Sequence, residues 1–94
     1  MNSVIDVVMV IHNPNLPVLR RCIDSLILQV RTVWLIDNSS LGLYASDEFK
    51  NFGNVNVISL KENMGIAHAQ NIGIKKSLEN QSNYILLSDQ DTIY

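Results

Sequence analysis

The chain has 94 residues, 47% of them hydrophobic, so its length suits one small domain with a buried core, spanning residues 1–94. The formal net charge is −2, and the basic residues form no cluster beyond Arg20-Arg21 and Lys75-Lys76, which excludes broad electrostatic binding of DNA or RNA. The single cysteine, Cys22, excludes an internal disulfide, and we expect a cytoplasmic location with neither a signal peptide nor a membrane span.

Four short apolar segments predict β-strands. They are rich in β-branched residues and nearly continuous in apolarity, which is typical of parallel strands covered by helices on both faces. The segments run from Val4 to Ile11, from Thr32 to Ile36, from Val55 to Leu60 and from Tyr84 to Leu87.

Two helical patterns separate the first three strands. The first follows Asn13-Pro14-Asn15 and places Cys22 among apolar residues as a buried side chain. Its apolar face consists of Leu19, Ile23, Leu26, Ile27 and Val30. The second is a short helix around Phe49 and Phe52, capped by Ser46-Asp47 and ended by Gly53-Asn54.

A third helix is predicted from about Asn63 to about Asn80. Its sheet-facing stripe is expected to contain Ala67, Ile74 and Leu78. The complete order is then β-α-β-α-β-α-β, with no repeat or linker between the elements. Right-handed crossovers in this order predict an α/β fold, in which an open, doubly wound parallel sheet lies between two helix layers as a three-layer α/β/α arrangement.

Every predicted strand is followed by polar residues at its carboxyl end. Ligands of open α/β sheets bind beyond this edge of the sheet, so we expect one polar site there. The four strand exits are His12-Asn13-Pro14, Asp37-Asn38-Ser39-Ser40, Lys61-Glu62-Asn63-Met64-Gly65 and Ser88-Asp89-Gln90-Asp91.

The last exit contains a candidate metal site. Asp89 and Asp91 lie two residues apart in a segment predicted to be extended, so their side chains can address one ligand. Two carboxylates are hard oxygen ligands of the kind that Mg²⁺ or Mn²⁺ prefers. The alternative interpretation is a solvated turn with two acids, because Asp-x-Asp alone is a weak signal.

Three other polar residues each have two interpretations. Asp37 is either a turn residue that bonds local backbone groups or an acceptor for a ligand. Asn71 shares the predicted sheet-facing stripe of the third helix, where it either makes a structural bond or contacts a ligand. His12 either covers a ligand ring or caps the first strand. The glycine-rich motifs of dinucleotide-dependent dehydrogenases and P-loop NTPases do not occur, which argues against both classes.

Four motifs together resemble the nucleotide-sugar-binding half of family 2 glycosyltransferases, whose fold is called GT-A. They cover essentially the whole chain and read VVMVIHNP, VWLIDNSS, NMGIAHAQNIGI and ILLSDQD. The His-Asn-Pro and Asp-Gln-Asp details are most similar to rhamnosyltransferase-type members of bacterial polysaccharide assembly. The resemblance implies a Rossmann-like half of the GT-A fold with strand order 3-2-1-4, in which the fourth strand lies at an edge.

The resemblance also implies roles for single residues in holding the nucleobase of a sugar donor. His12 and Asn13 would lie near the base, and Asp37 would bond it, with Asn38 beside them among the donor-binding residues. Gln70 stands where many family members have Arg, which argues against a phosphate contact from that position.

The remaining implied residues concern the rest of the nucleotide. Asn63, Gly65 and Asn71 would shape its pocket. Asp89 would approach the ribose or the metal, and Asp91 would coordinate the Mg²⁺ or Mn²⁺ ion that bridges the diphosphate. The ion would neutralise the charge that develops on the leaving nucleoside diphosphate.

The implied activity is inverting sugar transfer for bacterial cell-surface polysaccharide synthesis. The donor suggested by the subtype is dTDP-rhamnose, and the acceptor of the full-length form is a saccharide or a lipid-linked saccharide, at the inner face of the membrane or in the cytoplasm. Family members carry their general base in an acceptor-binding half, which we expect beyond Tyr94, so we expect the 94-residue chain alone to be inactive. The alternative is a non-catalytic module that binds a nucleotide sugar or another chain.

An apolar edge strand further predicts a homodimer.

Overall fold

The computed structural model describes residues 4–39, 49, 51–60 and 62–89, with the backbone alone at Asp89. The strands are β1 (Ile5–Ile11), β2 (Thr32–Asp37), β3 (Val55–Ser59) and β4 (Tyr84–Asp89), and the helices are α1 (Leu16–Leu26) and α2 (Ile66–Glu79). The short helix predicted around Phe49 lies largely outside the described residues. None of the helices in the described part combines the length and the apolarity that a bilayer span requires.

The strands form one parallel sheet in the order β3-β2-β1-β4, which confirms the order implied by the family resemblance. β1 is therefore a central strand, and Val7 pairs with Val33 on one side and with Leu86 on the other. Alternate side chains of β1 enter two separate cores, because successive residues of a strand point to opposite faces. Met9 packs in the core formed with α1, and Val8 packs in the core formed with α2.

α1 begins with an N-cap and covers one face of the sheet. Oδ1 of Asn15 accepts a hydrogen bond from the backbone N–H of Val18 at 3.1 Å, and Pro17 lies in the first turn, where a missing N–H is tolerated. The buried residues of α1 are Leu19, Cys22, Ile23 and Leu26. The predicted apolar face is thus confirmed up to Leu26, and Ile27 and Val30 lie beyond the end of the helix but pack against the same core.

α2 approaches the other face with small side chains, and the predicted stripe was wrong at Ala67 and Leu78, whereas Ile74 packs against the core as predicted. Its buried residues are Ala69, Gly73 and Ser77. Ala67 is exposed, and 60% of Leu78 is exposed. A Cβ atom on Gly73 would overlap Cγ1 of Val8 and lie 3.2 Å from Cγ1 of Ile36, so at this position the helix lies too close to the sheet for a larger residue. α2 also begins three residues later than predicted, because residues 63–65 form a loop.

A buried carboxylate joins the two central strands to α2 at the amino edge of the sheet. Asp6 is fully buried and accepts hydrogen bonds from Arg31 Nε (3.0 Å), Arg31 Nη2 (2.8 Å), Trp34 Nε1 (3.1 Å) and Ser77 Oγ (2.7 Å). Burial opposes ionisation of Asp6, but the hydrogen bonds outweigh it and hold the pKa of this carboxyl below its usual value. This network, which the sequence analysis did not anticipate, fixes the edge opposite to the strand exits.

Candidate functional site

The strand exits meet at one edge because all four strands run in the same direction. Ile11 pairs with Asp37, which in turn pairs with Ser59, so β1, β2 and β3 end level with one another. On the other side of β1, Val10 pairs with Asp89, the last residue of β4. The carboxyl ends of the four strands therefore lie at one edge of the sheet, as the sequence predicts.

The exit of β1 contains a residue with unusual backbone geometry. Asn13 has a φ of 44°, which is in the left-handed region that Asn adopts more readily than most residues. Its backbone N–H donates to Oγ of Ser39 at 2.8 Å, so the exits of β1 and β2 are joined directly. Oδ1 of Asn13 is buried and accepts no hydrogen bond from the described residues. His12 is exposed beside it.

Ser39 was placed in the exit of β2 from the sequence but was given no role in the site. Its signal was present, because Ser follows Asp37-Asn38 directly and such residues bond neighbouring backbone groups. What the pattern could not show is that Oγ of Ser39 accepts from Asn13, 26 positions earlier in the chain.

Asp37 ends β2 in a buried turn. Only 5% of its surface is exposed, and its Oδ1 accepts a hydrogen bond from the backbone N–H of Ser39 at 2.9 Å. Its backbone carbonyl accepts from the N–H of Leu60 at 3.0 Å, which holds the end of β3 beside it. The turn-forming interpretation is thus confirmed. The ligand-binding interpretation of Asp37 stays a prediction.

The loop between β3 and α2 is anchored to the end of β2. Asn38, of which 2% is exposed, accepts from the backbone N–H of Met64 and donates to Asn63. Gly65 precedes α2 with a φ of 85°, a left-handed backbone conformation in which a residue with a side chain would be strained. A Cβ atom added at this position would meet only open space. No side chain caps this helix among the described residues. The structure therefore brings Asn38, Asn63 and Gly65 together, as predicted.

Two parts of the predicted site are placed differently or not at all. Asn71 is exposed on α2, so its predicted position on the sheet-facing stripe was wrong, for the same reason that Ala67 does not face the sheet. Asp91 lies outside the described residues, and only the backbone of Asp89 is described. Within residues 4–39, 49, 51–60 and 62–88, no three metal-binding side chains converge. The carboxylate pair therefore stays a prediction.

Comparison with known proteins gives a family match over nearly the full chain. The model of the family described as "Glycosyl transferase family 2" matches residues 6–94. The protein described as "dTDP-rhamnosyl transferase RfbF" of Shigella flexneri is 40% identical over 92 residues, which are 98% of this chain and 31% of that protein. The chain thus spans less than a third of the length of this relative.

Two crystal structures share the fold. S. aureus TarS 1–349 matches with a TM-score of 0.75 at 20% identity, over 97% of this chain and 28% of that one. A second structure of S. aureus TarS matches with a TM-score of 0.72 at 21% identity, over 95% of this chain and 17% of that one. At such identities the likeness concerns the fold alone, and it confirms the expected α/β arrangement of the GT-A type.

Proposed function

Because this chain belongs to glycosyl transferase family 2, we propose that it binds the nucleoside diphosphate part of a sugar donor at the carboxyl edge of its sheet. The observation that supports this most directly is the convergence of three strand exits. His12, Asn38 and Asn63 come from three separate parts of the chain and lie within one hydrogen-bonded group. A polar group at this edge of an open sheet is where ligands of such folds bind.

The nucleobase is assigned to the exits of β1 and β2. Oδ1 of Asn13 is a buried acceptor oxygen to which no described residue donates, and Asp37 carries a buried carboxylate at the neighbouring exit. Acceptors of this kind suit a base that carries an N–H group. Asn63 and Gly65 border the same surface from the loop before α2, and we assign them to the wall of the nucleotide pocket.

Asp89 and Asp91 are the residues that would hold a divalent cation. Asp89 ends β4 beside Val10, at the same edge of the sheet as Asp37. Carboxylate oxygens at this edge suit Mg²⁺ or Mn²⁺, which binds few protein ligands and completes its shell with water and phosphate oxygens. When bound, the cation supplies positive charge against the departing nucleoside diphosphate.

The proposed activity of the full-length protein is inverting sugar transfer to a saccharide or lipid-linked acceptor in bacterial cell-surface polysaccharide synthesis. The name of the Shigella flexneri relative makes dTDP-rhamnose the first donor to test. We assign the reaction to the cytoplasm and to the inner face of the membrane.

Calorimetric titration with dTDP, UDP and GDP tests this function, each with Mn²⁺ and with a chelator. We expect binding that weakens by at least about tenfold in chelator, and Asp91→Ala should bind equally weakly under both conditions because it lacks a metal ligand. Asp24→Ala is the matched control, since Asp24 is an exposed acid on α1. Equal affinity of the unaltered protein with Mn²⁺ and with chelator contradicts the metal assignment. No binding of any nucleotide contradicts the proposed function itself.

We also propose that this chain forms a homodimer through β4. The strand lies at one edge of the described sheet and is poorly covered, since 62% of Tyr84, 41% of Leu86 and 47% of Leu87 are exposed. An edge strand with unpaired backbone groups is a template for a second copy, and two-fold pairing closes it.

A further inference from the structure

A chain of side-chain amides joins the exits of β1, β2 and β3. The backbone N–H of Met64 donates to Oδ1 of Asn38 at 2.8 Å, and Nδ2 of Asn38 donates to Oδ1 of Asn63 at 3.0 Å. The backbone N–H of Gly65 donates to the same Oδ1 of Asn63 at 3.0 Å. Nδ2 of Asn63 then lies 3.4 Å from Nε2 of His12. We call this series of hydrogen bonds, from Met64 to His12, the amide relay.

The direction of the amide relay follows from two backbone groups that can only donate. The N–H of Met64 requires the oxygen of Asn38, and this turns the NH₂ group of Asn38 toward Asn63. That NH₂ group and the N–H of Gly65 both require the oxygen of Asn63, so the NH₂ group of Asn63 faces His12. An amide NH₂ group donates and does not accept. Nε2 of His12 is therefore the acceptor, and the proton of the neutral ring lies on Nδ1.

We propose that Asn38 is a positioning residue that sets the tautomer of His12 and the shape of the loop before α2 without touching the ligand. Only 2% of Asn38 is exposed, whereas His12 and Asn63 are exposed at the surface where the exits converge. Both ends of its amide are also bonded to protein groups. Asn38 thus determines which hydrogen-bonding groups His12 and Asn63 can present to a ligand. Its consequence for nucleotide affinity rests on the proposed function, but its effect on His12 does not.

Asn38→Asp inverts the relay with almost no change in side-chain shape. The carboxylate still accepts from Met64 but cannot donate to Asn63, so the amide of Asn63 should turn its NH₂ group toward Asp and its oxygen toward His12. We expect the imidazole proton to move from Nδ1 to Nε2, as read from ¹H–¹⁵N correlations of the ring at a pH where it is neutral. The N–H of Gly65 loses its acceptor and should exchange with solvent at least about tenfold faster, while that of Met64 keeps its protection.

Matched controls separate this effect from added charge. Asn51→Asp makes the same substitution at an exposed turn and should leave the tautomer of His12 unchanged. His68, the other histidine of the chain, serves as an internal reference in every spectrum. Asn63→Ala breaks the relay without a charge, and the share of the Nδ1-protonated tautomer of His12 should then fall even if the Asp variant does not fold. An Nε2-protonated ring in the unaltered protein, or an unchanged tautomer in Asn63→Ala, overturns the proposal.

Nucleotide affinity gives a second test through uncharged variants. We expect Asn38→Ala and Asn63→Ala each to weaken binding of the nucleoside diphosphate by about tenfold, and the double variant to be weakened by clearly less than the product of the two effects, because Asn38 acts through Asn63 and the loop that carries it. A double variant weakened by about a hundredfold would mean that Asn38 acts independently, against the proposal. If the unaltered protein binds no nucleotide, the proposed function fails while the tautomer measurement still decides the role of Asn38.

Discussion

Arg31 donates two parallel hydrogen bonds to the carboxylate of Asp6, from Nε to Oδ1 at 3.0 Å and from Nη2 to Oδ2 at 2.8 Å. The carboxylate has no exposed surface, whereas 36% of the Arg31 side chain is exposed. A third guanidinium nitrogen, Nη1, donates to the backbone carbonyl of Asn80 at the end of α2. One side chain at the protein surface thus satisfies a buried charge and fixes a helix end.

Replacement of Arg31 is predicted to destabilise the fold strongly. Arg31→Met should lower the free energy of unfolding clearly, because it leaves a buried carboxylate without its charged partner. Arg21→Met is the control, since Arg21 is exposed on α1, and it should change stability by less than about 0.5 kcal/mol. Urea unfolding followed by circular dichroism measures both. Equal midpoints for the two variants would mean that the buried pair contributes no net stability.

The same carboxylate predicts a loss of stability in acid. Folding holds the pKa of Asp6 below its unfolded value, so its contribution is complete above about pH 4 and is lost as the pH falls through the folded pKa. Urea midpoints measured from pH 7 to pH 2 should therefore decline at the acid end, and the decline should be shallower in Asp6→Asn, which has no proton to bind at this position. The other acidic residues contribute equally to the loss of stability in acid in the unaltered protein and in Asp6→Asn. Parallel curves below pH 4 would contradict the prediction.

Gly73→Ala tests the close contact between α2 and the sheet. An Ala in a helix is favoured over Gly by about 1 kcal/mol, but here its Cβ overlaps the buried side chain of Val8, and overpacking costs about 1–3 kcal/mol. We therefore expect a net loss of stability in thermal unfolding. Gly53→Ala meets nothing within 4 Å and should be neutral. Adding Val8→Ala to Gly73→Ala should recover part of the loss if the overlap is its cause, and no recovery would point to another cause.

The proposed homodimer predicts twice the mass of the chain in light scattering at micromolar concentration. Leu86→Lys should shift the protein to a monomer, because a lysine on an edge strand discourages pairing with another strand. Leu28→Lys is the matched control, since Leu28 is 93% exposed after α1, far from β4 in the chain, and it should leave the mass unchanged. A monomeric mass for the unaltered chain would show that β4 does not pair with a second copy.

The sequence predicted the strands well because their apolar runs are bounded by polar exits, and each boundary lies within two residues of the observed one. The strand order came from the family resemblance, since patterning alone does not say which strands are neighbours. The face of α2 was mistaken at Ala67 and Leu78 because large apolar residues usually face a core, whereas the close approach at Gly73 places the small residues Ala69, Gly73 and Ser77 nearest the sheet. A glycine within a helical pattern was the available signal.

Polar partners far apart in sequence were the hardest to predict. Asp6 stands inside an apolar strand, which marks it as unusual, but nothing near it in the chain identifies Arg31 and Ser77 as its partners. The convergence of His12, Asn38 and Asn63 was predictable as a shared edge, because parallel strands end together. The direction of their hydrogen bonds was not, since it depends on the backbone N–H groups of one loop.

The central position of β1 has a consequence for synthesis on the ribosome. β1 leaves the ribosome first, but its second neighbour, β4, follows only after about 79 further residues, the separation between Val4 and Asn83, which are hydrogen-bonded across this junction. At about 5–20 residues per second, translation keeps one side of β1 unpaired for about 4–16 s. During that interval the unpaired edge of the apolar strand β1 is open to pairing with other nascent chains. Chaperone binding to residues 5–11 should therefore protect the chain from such pairing more than chaperone binding to any later strand.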